Sequence, residues 1–131
     1  MGADGAVWGI NGAQQIFEFD ANTQNWTYTP GSLVQIAVGS AANVWGVNAA
    51  GGVYRFDPQS GSWDYAAKIL SQIAVGFDGA VWGVDAASQI WEWNAQTQSW
   101  SIVPGSLTKI VAAAGGAVWG LDAQGSVYFY R

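Results

Sequence analysis

Residues 36–58 read IAVGSAANVWGVNAAGGVYRFDP, and the triplet Val44-Trp45-Gly46 lies near the centre of this stretch. The same Val-Trp-Gly triplet starts again at residues 7, 81 and 118, so consecutive triplets lie 37 residues apart. Further aromatic residues keep this interval: Trp26, Trp63 and Trp100, and also Phe17, Tyr54, Trp91 and Tyr128. Self-similarity at a period of about 20–50 residues is typical of repeat architectures. The sequence therefore predicts a chain built from one repeated structural unit.

Each repeat consists of short apolar runs separated by turn residues. Runs such as NVWGVN (43–48) and VYRFD (53–57) are rich in β-branched and aromatic residues and are bounded by Gly, Asn, Asp and Pro. This composition is typical of strands, and no stretch shows a helical apolar period. Four short strands in roughly 40 residues, with one aromatic motif per unit, indicate a β-propeller. We predict an all-β fold, a β-propeller of four-stranded antiparallel blades. A β-sandwich is the competing fold, but sandwiches seldom repeat their sequence.

The whole chain, residues 1–131, is predicted to be one propeller domain with about three and a half copies of the 37-residue repeat. Its units are residues 1–25 (partial), 26–62, 63–99 and 100–131 (partial). The small side chains of QIAVG favour the inner position near the propeller axis. The strands that carry Trp26, Trp63 and Trp100 are expected at the outer edge of each blade.

When the predicted strands are counted by type, the first unit lacks an inner strand and the last unit lacks an outer strand. Two closures stay open: a four-bladed ring of one chain, or a ring completed by a homodimer or a higher homo-oligomer. We favour assembly between chains, with the outer strand around Trp26 of one chain completing the last blade of another. Whether the chain is a natural half-protein, a fragment or an engineered propeller stays open.

The composition disfavours several classes of function. The chain has no His and no Cys, so triad-type nucleophilic catalysis lacks its usual base. The net charge is -5, and the four cations are too scattered to form a basic face for nucleic acid or anionic lipid. No apolar run approaches the roughly 18 residues of a membrane span. The N-terminal MGADGAVWG shows no secretory signal pattern. We expect no nucleic-acid partner and no membrane insertion.

Asn and Asp alternate at repeat-related turn positions, namely Asn11, Asn48, Asp85 and Asp122. This interchange suits turn capping better than proton transfer. Equivalent carboxylates lie in different blades, so the close pair that a glycosidase needs is not expected. The stretch DANTQN (20–25) lacks the later carboxylate of a calcium loop. We therefore expect no enzyme activity, no catalytic residue, no metal site and no cofactor.

The nine tryptophans allow two roles. A Trp ring can fill the space between blades, and it can also offer a flat platform to a sugar, with its N–H free for a hydroxyl. Packing is the first interpretation for the Trp of the triplet. A cleft lined by Trp and edged by Asn, Asp and Gln suits a neutral carbohydrate. The candidate ligand-binding residues are Trp8, Trp45, Trp82, Trp119, Asn11, Asn48, Asp85 and Asp122.

The segments WDYAAKILSQIAVGFDGAVWGVD (63–85) and GVYRFDPQSGSW (52–63) resemble the tectonin repeat. The resemblance covers essentially the whole chain. It implies a six-bladed propeller, and several members of the family are lectins that bind bacterial or nematode glycans, including O-methylated sugars. Their shallow sites lie within blades or between adjacent blades. The resemblance thus implies multivalent glycan binding, in which weak sites combine through avidity.

Many tectonin repeats carry Arg after the aromatic residue of the third strand. Arg55 matches this pattern and joins the candidate ligand-binding residues, whereas the equivalent positions are Glu18, Glu92 and Phe129. Equivalent sites therefore need not all bind. Other members of the family act in intracellular protein scaffolding. A protein-interaction scaffold, or a propeller without an evolved ligand, is the alternative function.

Overall fold

The structure is a computed structural model that describes residue 2, residues 4–112 and residues 117–130. Within these residues every regular element is a β-strand, and there is no helix. In chain order the strands are β1 Val7–Ile10, β2 Ile16–Asp20, β3 Asn25–Thr29, β4 Gln35–Ser40, β5 Asn43–Val47, β6 Gly52–Asp57, β7 Ser62–Ile69, β8 Gln72–Val75, β9 Val81–Val84, β10 Ile90–Asn94, β11 Ser99–Val103, β12 Lys109–Ala112, β13 Val118–Leu121 and β14 Val127–Tyr130.

The strands form four antiparallel sheets that follow one another along the chain. We call them sheet A (β1-β2-β3), sheet B (β4-β5-β6-β7), sheet C (β8-β9-β10-β11) and sheet D (β12-β13-β14). The predicted all-β propeller architecture with antiparallel blades is confirmed. Among the described residues, sheets A and D have three strands each, as the strand count predicts. Completion of a ring stays a prediction.

The first strands of successive sheets lie next to each other, because β8 contacts both β4 and β12. The strands that carry Trp26, Trp63 and Trp100 lie at the opposite edges of their sheets. The predicted order of strands within a blade is therefore observed. It brings the connection after each outer strand against the following sheet, where a cleft can form.

The tryptophan of the first three triplets packs against the sheet that follows it. Trp45 of sheet B is 1 % exposed, and its ring centroid lies 5.2 Å from that of Trp93 and 5.9 Å from that of Trp100 in sheet C. Trp8 of sheet A packs in the same way against Phe56 and Trp63 of sheet B. These edge-to-face pairs have a favourable geometry for aromatic rings.

The glycine of each triplet points the other way, because successive side chains in a strand alternate between its two faces. Buried leucines from the preceding connections fill the space that these glycines leave. The pairs are Leu33 with Gly46, Leu70 with Gly83, and Leu107 with Gly120. A Cβ atom on any of these three glycines would overlap its leucine. In sheets B and C the triplet therefore contacts the following sheet through its Trp and the preceding connection through its Gly, which accounts for its recurrence in these units.

Hydrogen bonds also join successive sheets. Gln35 Oε1 accepts a hydrogen bond from Ile73 N at 2.6 Å, and the equivalent Gln72 Oε1 accepts one from Ile110 N. Trp100 Nε1 donates to the Ala66 carbonyl oxygen at 3.1 Å. These bonds are partly buried, so they favour one relative position of neighbouring sheets more than exposed bonds would.

We expect Gly46→Ala to lower the free energy of unfolding by about 1–3 kcal/mol, since the new methyl group overpacks against Leu33. Urea denaturation followed by circular dichroism measures the change. Gly12→Ala is the matched control, because a Cβ there has no atom within 4 Å, and its effect should stay within about 0.5 kcal/mol. Equal effects of the two substitutions would contradict the proposed role of the glycine.

Candidate ligand-binding clefts between the sheets

The four repeat-related Asn and Asp residues close the turn between the second and third strands of each sheet. Asn48 Oδ1 accepts hydrogen bonds from the backbone N–H groups of Ala50 and Gly52, at 3.1 and 2.9 Å. Asn11, Asp85 and Asp122 make the same pair of bonds. The predicted turn-capping role is confirmed. It commits one oxygen of each side chain. The other polar atom donates to Gln15 in Asn11, accepts from Trp91 in Asp85 and accepts from Tyr128 in Asp122.

The first cleft lies where the connection from sheet A meets sheet B, and we call it cleft AB. Its volume is about 260 Å³, and it is lined by Gly31, Ser32, Leu33, Asn48, Tyr54 and Trp63. Its polar groups include Asn48 Nδ2, for which no hydrogen-bond partner is found among the described residues. The Tyr54 and Trp63 rings are only half-buried, so the cleft combines aromatic surface with an amide donor.

Gly31 keeps cleft AB open. Its φ of 136° lies in the region that favours glycine, and a Cβ there would lie 3.1 Å from Trp63 Cδ1. Any side chain at this position would therefore cover the edge of the indole. The absence of a side chain leaves that edge at the wall of the cleft.

The equivalent cleft between sheets C and D, which we call cleft CD, has a volume of about 310 Å³. It is lined by Gly105, Ser106, Asp122, Ala123, Gln124, Tyr128 and Tyr130. Its connection repeats the Pro-Gly-Ser-Leu sequence of cleft AB, with Gly105 at a φ of 129°. Asp122 takes the place of Asn48, and Tyr128 takes the place of Tyr54. The two clefts are thus versions of one site.

Hydrogen bonds set the charge state of cleft CD. Several hydrogen bonds hold the pKa of Asp122 below its ordinary 3.8, and the bond from the Ser126 backbone N–H has the largest effect. The Tyr128 hydroxyl also donates to Asp122 Oδ2, at 3.0 Å, and this bond raises the pKa of Tyr128 above its ordinary 10.0. Asp122 is therefore a carboxylate and Tyr128 a neutral phenol across the whole range between these values.

At the junction between sheets B and C, Lys68 stands at the position of Gly31 and Gly105. Its Nζ lies 2.8 Å from the centroid of the Trp91 ring, a cation–π contact. Trp91 Nε1 donates to Asp85 Oδ2 at 3.0 Å. The Lys68 side chain thus covers the aromatic surface that is open in clefts AB and CD.

The pKa values at this junction reflect the same packing. Desolvation lowers the pKa of Lys68 below 10.5, although the nearby Asp85 carboxylate opposes this shift. Burial pushes the pKa of Asp85 upward, but hydrogen bonds from Trp91 and two backbone N–H groups bring it below 3.8. Lys68 and Asp85 are both charged near neutral pH, so the junction between sheets B and C carries one positive and one negative charge.

The structure separates the candidate residues into groups. Asn48 lies in cleft AB, Asp122 in cleft CD, and Asp85 beneath Lys68. The triplet residues Trp8, Trp45 and Trp82 are buried between sheets and are not among the residues that line either cleft. Their position agrees with the first interpretation, which was packing.

The remaining candidates lie outside the two clefts. Asn11 borders a depression on the outward face of sheet A, and Trp119 borders one on the outward face of sheet D. Arg55 points to the opposite face of sheet B from Tyr54 and lies over the Trp45 ring, 5.6 Å from its centroid. The structure therefore does not bring Arg55 together with Asn48.

The sequence reasoning did not select the cleft residues Tyr54, Tyr128, Ser32 and Ser106. Two signals could have found them. The third-strand aromatic residue recurs at the 37-residue interval, and the Pro-Gly-Ser-Leu connection occurs before two sheets but not before the third. Both signals become a site only when the fold brings the connection against the third strand.

Two further properties bear on function. Within the described ranges, no group of three or more Asp, Glu, His or Cys residues could hold a metal ion. The same part of the chain contains no helix that is long and apolar enough to cross a membrane.

Comparison with known proteins supports the fold. The family model described as Tectonin domain matches residues 1–131. Two similar solved structures are "YCF48 bound to D1 peptide" (15% identity, TM-score 0.66) and "Structure of U3-55K" (9% identity, TM-score 0.68). The match covers 96% of this chain in both cases, but 47% and 48% of the other chains. The chain thus spans about half the length of these β-propellers. No curated protein matches it.

Proposed function

The chain belongs to the tectonin family, and we propose that it is a non-enzymatic protein that binds neutral glycans, O-methylated glycans included, in clefts AB and CD. The observation that carries this proposal is the repetition of one site at two junctions. Each cleft combines a Tyr ring, an Asn or Asp side chain and an open Gly-Ser wall. A ring face suits the apolar face of a sugar, and the polar groups suit its hydroxyls.

The charges of the clefts favour a neutral ligand. No Lys or Arg lines either cleft, so an anionic group would find no cation there. Asp122 is the only carboxylate among the lining residues of the two clefts. A glycosidase needs two carboxyl groups roughly 5–10 Å apart. Binding without hydrolysis is therefore the function that this geometry supports best.

A glycan array with free-sugar competition tests the proposal. We expect the 131-residue chain to bind neutral or O-methylated glycans weakly as a single cleft and more strongly on dense glycan surfaces, because two clefts contribute avidity. Competition by the free sugar should abolish the signal. An array that shows no neutral or methylated ligand at high surface density would contradict the proposal.

We expect Lys68→Ala to raise the number of glycans bound per chain from two to three. The substitution removes the side chain that covers Trp91 and leaves Asp85 in the position of Asp122. Isothermal titration calorimetry with a sugar found on the array measures the stoichiometry. Lys68→Arg is the control, since it keeps a cation over the ring and should leave the stoichiometry at two. An unchanged stoichiometry in Lys68→Ala would show that Lys68 does not close this junction.

Low pH is expected to weaken glycan binding in cleft CD and to leave glycan binding in cleft AB unchanged. A carboxyl group with a lowered pKa gives its stabilisation above its unfolded value and loses it as the pH falls through the folded pKa. Asp122 therefore keeps its acceptor function through its ordinary pKa of 3.8 and loses it only as the pH falls through its lowered pKa in the folded protein, whereas the Asn48 amide does not titrate. Titrations at pH 6 and pH 3 measure the difference. Asp122→Asn should make binding in both clefts independent of pH in this range; a persistent acid loss in that variant would rule out Asp122 as its source.

A second candidate function is a protein-interaction scaffold. The matched YCF48 structure is described as bound to a D1 peptide, and the outward faces of sheets A and D expose large apolar side chains. This candidate predicts specific association with a protein and no affinity for free sugars. The glycan array with sugar competition separates the two candidates.

A further inference from the structure

The aromatic contacts between sheets join residues at a constant spacing in the sequence. The triplet Trp of a sheet packs against the aromatic residue 48 positions later and, where it exists, the Trp 55 positions later. Trp8 meets Phe56 and Trp63, with centroid distances of 4.9 and 6.0 Å, and Trp45 meets Trp93 and Trp100. Trp82 meets Tyr130 at 5.9 Å. Every internal junction between sheets therefore uses the same contact.

The outward face of sheet D carries a triplet Trp, but among the described residues no following sheet supplies the aromatic residues against which that Trp would pack. Trp119, the next triplet Trp in the series, is 47% exposed, although its three equivalents are buried. Val127 is 62% exposed, whereas the equivalent Val53 and Ile90 are 0% exposed, because a following sheet covers them. Phe129 packs on Trp119 at 4.6 Å and stands where Glu18, Arg55 and Glu92 stand in the other sheets. At this position sheet D carries an apolar ring, whereas each of the other sheets carries a charged side chain.

The outward face of sheet A carries the aromatic pair against which a triplet Trp of a preceding sheet would pack. Phe19 and Trp26 are the equivalents of Phe56 and Trp63, the pair that receives Trp8. Their ring centroids lie 5.1 Å apart, and Trp26 is 52% exposed. A depression of about 330 Å³ beside Trp26 is lined mainly by apolar atoms of Gly9, Ile10 and Phe17.

We propose that these two faces bind each other in two copies of the chain, head to tail, with Trp119 of one copy against Phe19 and Trp26 of the second copy. A second copy that continues the repeat, offset by four periods of 37 residues, places Phe19 and Trp26 at the positions equivalent to the 48th and 55th residues after Trp119. The joint therefore continues the contact that already holds sheets A, B, C and D together. It is independent of glycan binding.

The lengths of the matched propellers support a second copy as the occupant. Each match covers nearly all of this chain but only 47% or 48% of the solved structure. Two copies thus supply about the length of one such propeller. A head-to-tail contact is heterologous, and it ends in a closed ring when the rotation between copies closes. Two copies contain eight sheets, within the usual range of about 4–8 blades.

Stacking of sheets replaces the strand exchange expected from the sequence alone. In the structure β3 pairs with β2 along its whole length, from Ile16 with Thr29 to Asp20 with Asn25. Donating β3 to the last sheet of another chain would break this ladder. Face-to-face stacking breaks no backbone hydrogen bond, and it covers the apolar side chains that are exposed on both faces.

Light scattering coupled to size-exclusion chromatography tests the proposal with the 131-residue chain. The wild-type chain should have twice the monomer mass at micromolar concentration. Trp119→Asp, which blocks the face of sheet D, and Trp26→Asp, which blocks the face of sheet A, should each be monomeric. An equimolar mixture should regain the mass of a dimer, because each variant keeps one intact face that fits the intact face of the other.

Two controls keep the experiment decisive. Tyr65→Asp changes a side chain that is 54% exposed in sheet B, away from both open faces, and should leave the dimer intact. Circular dichroism should show wild-type secondary structure in every variant, since the replaced side chains are exposed. A monomeric wild-type chain overturns the proposal and leaves the open faces to further repeats of a longer chain. A single variant that still forms dimers alone overturns it in favour of a symmetric contact between like faces.

Discussion

Trp45→Ala is expected to lower the free energy of unfolding by about 3–5 kcal/mol, the range for deletion of a large buried aromatic side chain. Trp45 contacts Trp93 and Trp100 across the junction of sheets B and C, and its Nε1 donates to Asn43 Oδ1 at 2.7 Å. The substitution leaves a cavity and an unpaired amide oxygen. Since small domains are stable by about 5–15 kcal/mol, this loss removes a large part of the total.

Urea denaturation of the Trp45→Ala variant, followed by circular dichroism, measures this loss. Phe77→Ala is the control for removal of an aromatic ring, because Phe77 is 51% exposed, and its effect should stay within about 0.5 kcal/mol. Trp45→Phe keeps a ring in the junction and should cost less than Trp45→Ala. A loss below about 1 kcal/mol for Trp45→Ala would contradict the role of the triplet Trp as the contact between blades.

Tyr54→Ala is expected to weaken glycan binding in cleft AB by about 30-fold, which corresponds to about 2 kcal/mol for an aromatic contact at the centre of a site. The ring supplies the open aromatic surface of the cleft, beside the free amide nitrogen of Asn48. Calorimetry with a sugar found on the array measures the change, which appears as loss of one of two sites. Tyr54 is half-buried, so a thermal melt should accompany the titration.

Tyr54→Phe is the matched control for this variant. It keeps the ring and removes the hydroxyl, so it should retain most of the affinity if the ring provides the platform. Unchanged binding in Tyr54→Ala, with two sites still present, would place the sugar elsewhere. Equal losses in Tyr54→Ala and Tyr54→Phe would assign the contact to the hydroxyl instead of the ring.

Most of the fold could be predicted from the sequence, because its signals are local and repeated. The spacing of the Val-Trp-Gly triplets fixes the unit, and the apolar runs between turn residues fix the strands. Side-chain size in QIAVG placed the inner strand correctly. The role of the triplet glycine could not be predicted from the sequence, because Leu33 and Gly46 are 13 positions apart and come into contact only in the folded structure.

The site was harder to predict, because it depends on which face each side chain takes. Arg55 and Tyr54 are neighbours in sequence, yet they point to opposite sides of sheet B, so the family pattern that selected Arg55 led away from cleft AB. Lys68 is one of four cations in the sequence, and nothing local shows that its side chain covers Trp91. The number of open clefts follows from packing between sheets, which repeat counting does not give.

The proposed glycan-binding function is tested most directly by calorimetric titration of the wild-type chain and of the double variant Tyr54→Ala/Tyr128→Ala, with one sugar identified on the array. We predict two equivalent sites per chain in the wild-type protein and no measurable binding in the double variant, with both proteins folded by circular dichroism. Binding of the sugar with undiminished stoichiometry in the folded double variant would contradict the assignment of function to clefts AB and CD.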